Sequence, residues 1–316
     1  MKKMLLAAAA AVSIAASAVS VHAQEWTPPG PIKLMIAFAA GGGADTQARL
    51  IAAHLEEKLG WEFIPEQVTG KGGVNLLMEM KDQPNDGTVI GMVVMESLGY
   101  NLYTADVGLS PEDFTLITTT AGAQMGIIAS AATGWASFDE MIEAGKAGQD
   151  IRFGVMSQRL GELAYLLGKA QGVDFNIISV KGGRAVLNGV TAGDMDVGFM
   201  AGIQAPGVAA GDLTILASAM SKPLNQDPEA PLLADLGVDF DGDAIFMFAG
   251  PDGMPQEARD AIASAIADAA SDEATEVGAL IKRAFGGSLI LQGDELDEVA
   301  LRNFNDSPVL IKAASE

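Results

Sequence analysis

Three times in this chain a predicted strand is followed by clustered glycines that open a helical pattern. The first runs from Ile36 to Arg49 through Gly41, Gly42 and Gly43; the second runs from Phe63 to Met80 through Gly70, Gly72 and Gly73. The third runs from Phe175 through Lys181, Gly182, Gly183 and Arg184. Strands that repeatedly feed helices build parallel sheets with helices on both faces. The first of these turns is also a device for holding an anion. Glycine lets the backbone reach φ > 0 and lets a ligand approach closely, and the first N–H groups of the following helix have no intrahelical partner. They point outward at the positive end of the helix dipole, where a carboxylate or phosphate can sit.

The remaining pattern extends the same alternation. Ile32 to Phe38 is read as a buried strand and Asp45 to Leu59 as a helix stopped by Gly60; Leu76 to Met80 is read as a short helix and Thr88 to Met95 as a strand. Ser137 and Glu140 have capping-box spacing, in which each side chain reaches the other's free N–H, so a helix is predicted toward Lys146. Strands follow at Ile151 to Val155, Phe175 to Val180, Val197 to Met200 and Leu213 to Ala219, with a helix at Gly161 to Gln171. After Pro255 two helices, to Ala270 and from Glu273 to Arg283, are followed by an apolar strand at Ser288 to Leu291 and a last helix from Asp294. One strand between helices cannot make a sheet, so this segment must return to an earlier lobe.

The N-terminus bears on where the protein works. Lys2 and Lys3 precede an alanine-rich apolar stretch from Met4 to Val21, and Val21 and Ala23 place small residues where a signal peptidase reads. Residues 1–23 are read as a secretory signal peptide cleaved after Ala23. The chain has no cysteine, which excludes a thiol nucleophile, a disulfide framework and lipid attachment at the cleavage site. No later run is suited to span a bilayer, so no stable membrane insertion is expected. The net charge of −22 becomes two units more negative when Lys2 and Lys3 leave, and such a surface disfavours nucleic acid. A site of oriented N–H groups is insulated by salt from distant carboxylates, so a small anionic ligand remains compatible.

Catalytic and cofactor signals are sparse. His54 is the only histidine after the leader and falls beside the apolar stripe of its helix, near the end away from the glycines. No Gly-x-Ser-x-Gly elbow, His-Glu-x-x-His or phosphate-loop Gly-Lys-Ser/Thr is present. No cofactor, metal or catalytic residue is predicted. The roughly 290 residues that follow the leader exceed one comfortable core, which favours two α/β lobes.

Four motifs in order carry a resemblance: Phe38-x-x-Gly41-Gly42-x-x-Asp45-x-x-x-Arg49; Glu66-x-x-x-Gly70-x-Gly72-Gly73; Pro84-x-Asp86-Gly87; and Lys181-Gly182 followed by Gly193-x-x-Asp196. The chain resembles the tripartite tricarboxylate transporter receptors, the Bug or TctC family of periplasmic solute-binding proteins. The resemblance implies a type II periplasmic-binding-protein fold: an α/β flytrap with two crossing strands. Lobe one would be 24–122 plus 246–316 and lobe two 123–245. It further implies a monomer that captures a small organic di- or tricarboxylate and delivers it to membrane permease subunits.

On this resemblance Ala40, Gly41, Gly42, Gly43 and Asp45, with Gly70, Gly72, Gly73 and Asn75, hold one carboxylate through main-chain N–H groups and bridging water. Ser157, Gln158, Lys181, Gly182 and Gly183 would face them from lobe two. Asp45 has two readings, as a cap for free N–H groups of its own helix or as a holder of water in the site. Arg49 is read as paired with a surface acid, and Lys181 as a surface residue or a ligand contact. Where the family commonly has proline, asparagine, an aromatic and an acidic or polar residue, this chain has Ala39-Ala40, Gln67, Val180 and Ala201. Met95, Met156 and Met200 would then line an apolar part of the pocket or simply fill core. Two other readings stay open: a receptor of the same fold for an aromatic or amino acid that signals to a sensor kinase, and an exported enzyme using Asp45 with Glu66 or Glu96.

Overall fold

The computed structural model describes residues 26–316, so the proposed leader and its cleavage site lie outside the described residues. Five strands, β1 (Ile32–Ile36), β2 (Phe63–Gln67), β3 (Val89–Val94), β4 (Phe114–Gly122) and β10 (Ile245–Pro251), form one sheet in the order β2-β1-β3-β10-β4. A second sheet holds β5 (Met125–Ser130), β6 (Arg152–Val155), β7 (Asn176–Ser179), β8 (Val197–Ala201) and β9 (Leu213–Ser218) in the order β7-β6-β8-β5-β9. Each sheet has three parallel strands and a fourth, β10 or β5, antiparallel to both its neighbours. The middle strands β1 and β3 are buried along nearly their whole length, which is why they read as continuous apolar runs.

Helices α1 (Gly43–Leu59), α2 (Val74–Met80) and the short α3 (Leu102–Ala105) serve the first sheet. The second sheet carries α4 (Phe138–Lys146), α5 (Gln158–Gln171), α6 (Gly183–Ala192) and α7 (Ala205–Ala210). The chain crosses from β4 to β5 at Ala123 and Gln124 and returns into β10. Helices α8 (Gln256–Ser271), α9 (Glu276–Phe285) and α10 (Gly293–Ser315) then pack on the first sheet or its helices, and α10 also reaches α5. The chain is therefore a mixed α/β protein built on two five-stranded sheets.

Most predicted elements appear within a few residues, and the differences have local causes. Helix α1 ends at Gly60, whose backbone is left-handed (φ +69°) with its N–H on the Glu56 carbonyl. Ser137 caps α4, but the reciprocal Glu140 carboxylate accepts from Ala136 N at 2.6 Å, one residue beyond the box. Helix α5 begins at Gln158 rather than Gly161, because Ser157 Oγ accepts from Leu160 N and so caps it.

The predicted strand at Ser288 to Leu291 is not one. The segment does run along β4, with Leu289 N on Thr120 O and Thr119 N on Leu291 O. Between those bonds the Thr119 hydroxyl takes the backbone's place, donating to Leu289 O and accepting from Leu291 N at 2.7 Å.

A bidentate ion pair braces the second sheet. Arg152 donates from Nη2 and Nε to the two Asp196 oxygens at 2.6 and 3.1 Å, and its backbone N–H reaches the same carboxylate at 2.9 Å. Burial works against the Asp196 charge, but the Arg152 hydrogen bonds and attraction outweigh it and hold the carboxyl below its ordinary range. A folded-state value below the unfolded one contributes stability above the unfolded carboxylate range and loses it as pH falls through the folded value. Asp196→Ala is expected to cost about 2–3 kcal/mol at neutral pH. Thermal melts of both proteins at pH 7 and below pH 3 check this; a gap that does not narrow in acid contradicts the assignment.

Candidate functional site

In both sheets the chain leaves the first parallel strand, adds its second on one side and its third on the other. This creates a switch of direction between β1 and β3 and between β6 and β8. Open α/β sheets bind ligands outside the carboxyl ends of strands at such a switch. The two glycine loops follow β1 and β2, neighbours in the first sheet, and the segment from Met95 to Asn101 follows β3. The starts of α5 and α6 follow β6 and β7 in the second sheet.

In the first loop Gly42 N bonds back to Ala39 O at 3.3 Å, closing a turn whose corner, Gly41, lies at φ +76°. A side chain at Gly41 would meet no atom within 4 Å, so the left-handed backbone alone demands glycine there. Gly42 has extended backbone (φ −77°, ψ 170°) and is the N-cap of α1, with no side-chain cap bond. Its backbone does not require glycine, but a Cβ there would sit 3.3 Å from Ala39 O, the acceptor of its own N–H. Gly43 is packed for close approach: a Cβ there would sit 3.3 Å from the rings of both Phe246 and Phe285. Ala40 and Gly41 are exposed at the mouth of the turn.

Asp45 fastens this turn. Its carboxylate is buried and accepts from Gly41 N at 2.9 Å, Gln67 Nε2 at 2.7 Å and Arg49 Nε at 2.8 Å. The capping reading is corrected: Asp45 accepts from no backbone N–H of its own helix, and the one backbone N–H it satisfies belongs to the preceding turn. The predicted surface acid for Arg49 is corrected by the same bond: Arg49's partner is the buried Asp45 one turn back. Glu66 is exposed and paired with Lys33 at 3.0 Å, so it does not form a carboxylate dyad with Asp45.

In the second loop Gly70, Lys71, Gly72 and Gly73 all have positive φ, at 124°, 47°, 61° and 102°. Lysine in that region is unusual and marks a backbone held by its surroundings. Those surroundings are visible: Asn101 Nδ2 donates to Gly72 O at 3.0 Å, and Asn75 Nδ2 donates to Thr69 O at 3.1 Å. A Cβ on Gly72 would fall 2.3 Å from Asn101 Nδ2.

From the second sheet, Gly182 (φ +83°) caps α6 and Gly183 is its first residue. Next to them Arg184 Nη2 donates to Gly41 O at 2.9 Å, tying the start of α6 to the first glycine turn. Lys181 is exposed and makes no hydrogen bond or ion pair among the described residues. A second link joins the halves where the Tyr100 hydroxyl donates to Glu162 Oε1. Burial first, then that carboxylate, push the Tyr100 hydroxyl above the ordinary phenol range, so it stays a donor at any physiological pH.

Ser157 and Gln158 line an open groove of about 470 Å³ with Met156, Glu162, Tyr165 and, from α10, Ala314. The glycine loops do not line this groove. Met95 and Met200 are buried in the apolar cores. His54 is half-buried near the end of α1. The reading from sequence missed Gln67, Tyr100, Asn101, Glu162 and Arg184 as participants, and named Glu96 only as a carboxylate of the exported-enzyme alternative. Position after β3, at a strand's carboxyl end, was the signal for Glu96 to Asn101; Glu162 and Arg184 carried none beyond proximity to a helix start.

Residues 47–285 match the tripartite tricarboxylate transporter family receptor. BugT of Bordetella pertussis is 26% identical over 260 residues, 75% of this chain and 74% of that protein. The "UPF0065 protein in gbd 5'region" of Cupriavidus necator is 28% identical over 258 residues, 79% and 77% of the two chains. Among solved structures, MatC from Rhodopseudomonas palustris with bound malate superposes with a TM-score of 0.76 at 19% identity, covering 91% of this chain and all of that one. An R. palustris protein solved with adipate gives 0.80 at 20% identity, over 91% and 98%.

Proposed function

Because the chain belongs to the tripartite tricarboxylate transporter receptor family, a family of periplasmic solute-binding proteins and not of enzymes, we propose that it captures a small organic carboxylate between two closing lobes and passes it to a membrane permease. The lobes in this reading are residues 24–122 with 246–316 and residues 123–245, each holding one of the two sheets. Cleavage after Ala23 exports the chain, which works as a monomer. One carboxylate of the ligand rests on the N–H groups of residues 40–43 at the start of α1 and of the loop from Gly70 to Gly73. Ser157, Gln158 and Gly182 to Arg184 close on it from the other lobe, while Met95 and Met200 support the site from the core.

The observation that carries this reading is the hydrogen bond from Arg184 to Gly41 O, because it joins two helix starts that come from different sheets. Closure is favoured only by contacts a ligand makes with both halves at once, and these two starts supply them. The malate and adipate in the related structures are anions of the size this reading requires.

A thermal-shift panel of mono-, di- and tricarboxylates tests it. A ligand at 100 times its Kd adds about 2.7 kcal/mol to the native state, which raises the melting temperature by several degrees. The bound acid should be recovered chemically unchanged after prolonged incubation. A panel without any shift, or a ligand recovered as a different compound, contradicts the reading.

A further inference from the structure

Between β3 and α3 the chain makes one wide turn of π-helix, Ser97–Asn101, with all five residues buried. Such turns are rare and collect at functional sites, because the extra residue changes which side chains share a face. This one reaches in three directions. Toward the second glycine loop, Asn101 Nδ2 donates to Gly72 O at 3.0 Å, and a Cβ on Gly73 would fall 2.4 Å from Ser97 Oγ. Toward the other half, the Tyr100 hydroxyl donates to Glu162 Oε1 on α5. Toward α10, the chain leaves its helical path at Gly99 (φ −87°, ψ −106°) and lies against that helix: a Cβ there would be 3.0 Å from Asn303 Cβ and 3.2 Å from its carbonyl carbon.

Tyr100 and Asn101 are thus neighbours in sequence that hold opposite parties, α5 of one half and the glycine loop of the other. Packed closely against α10, the turn has little free volume in which to absorb a shift locally, so a displacement at Tyr100 carries to Asn101. The loop is sensitive to it. Lys71 stands at φ +47°, and the cost of that backbone is of the same order as one hydrogen bond. Gaining or losing the Asn101 bond therefore decides how firmly the left-handed shape is kept.

We propose that Tyr100 and Asn101 are positioning residues that couple the approach of the two halves to the shape of the loop from Gly70 to Gly73. Contact with Glu162 steadies the turn, and the turn sets the loop; neither residue needs to touch the ligand. The coupling rests on the carboxylate-receptor reading above for its purpose, and it adds that the second loop is firmly formed only when the halves are together. A ligand that meets both halves then finds its loop already ordered, which lowers the cost of binding.

Amide hydrogen exchange read by NMR on the ligand-free chain tests this, with the Val74 N–H, which donates to Lys71 O within the loop, as reporter. Tyr100→Phe removes only the hydroxyl, and Glu162→Ala removes its acceptor from the other half; each is expected to speed exchange at Val74 by about 3- to 10-fold. Asn101→Ala should do the same, and adding Tyr100→Phe to it should change little further, whereas independent roles would multiply. The Kd of the best carboxylate from the panel should rise in Tyr100→Phe by about the same factor. Wild-type exchange at Val74 in either Tyr100→Phe or Glu162→Ala, multiplying effects in the double variant, or an unchanged Kd in Tyr100→Phe overturns the proposal. If Asn101→Ala fails to fold, the other two variants decide alone. If exchange responds as expected but no carboxylate binds the unaltered chain, the coupling stands and the receptor reading falls.

Discussion

A Gly72→Val chain is expected to lose carboxylate binding altogether and to melt roughly 5–15 °C lower. Gly72 sits at φ +61°, where a side chain costs about 1–2 kcal/mol and a β-branched one more. Its Cβ would also lie 2.3 Å from Asn101 Nδ2 and 2.7 Å from Cγ. Asn101 is buried, so moving it aside breaks its bond to Gly72 O and adds about 1–3 kcal/mol of overpacking. Gly41→Ala provides the contrast. The space there is open and only the left-handed backbone at φ +76° resists, so the melting temperature should fall by only a few degrees. Affinity should still fall at least tenfold, because the turn relieves its strain by rotating the N–H groups away from the ligand. Calorimetry with the best carboxylate from the panel, paired with thermal melts, reads both quantities; full affinity in the Gly41→Ala protein would falsify the role given to that turn.

Asp45→Ala should be nearly as severe for binding, by a different route. The carboxylate holds Gly41 N, Gln67 Nε2 and Arg49 Nε together, and it does so from a buried position beneath the turn. Removing it frees the Gly41 amide to turn away and leaves Gln67 without its acceptor. Arg49 is half exposed, so its share of the loss is small. The stability cost is expected at about 2–3 kcal/mol, and the fall in affinity at about 100-fold, since loop N–H groups that are no longer fixed must be ordered by the ligand itself. Asp45→Asn keeps one acceptor of the same shape and should lose about half as much in free energy. An unchanged Kd in the alanine variant would mean that Asp45 merely fills space under the loop.

Much of this arrangement was legible in the sequence because it depends on local rules. Gly60, Gly182 and Ser137 end or begin helices as the spacing around them implies, since a cap is settled within a few residues of chain. The apolar runs of β1 and β3 read as buried strands because both faces are covered. The segment from Ser288 to Leu291 misled for a physical reason: its composition is that of a strand, but Thr119 occupies the hydrogen bonds that would have made it one. Likewise Arg49 was assigned a surface acid because sequence spacing does not reveal that Asp45, four residues earlier, is turned inward.

By itself the sequence determined that glycine turns open helices after parallel strands, and hence that N–H groups for an anion are available. That follows from backbone sterics and needs no distant contact. Only the tertiary structure decided what faces those turns. The bond from Arg184 to Gly41 spans 143 positions, and Tyr100 meets Glu162 across 62. Such pairings arise because the chain crosses at Ala123 and Gln124 and returns at β10, which turns the strand ends of one sheet toward those of the other. Side chains brought together in that way leave no periodic signal in the sequence, since neither partner's local conformation depends on the other.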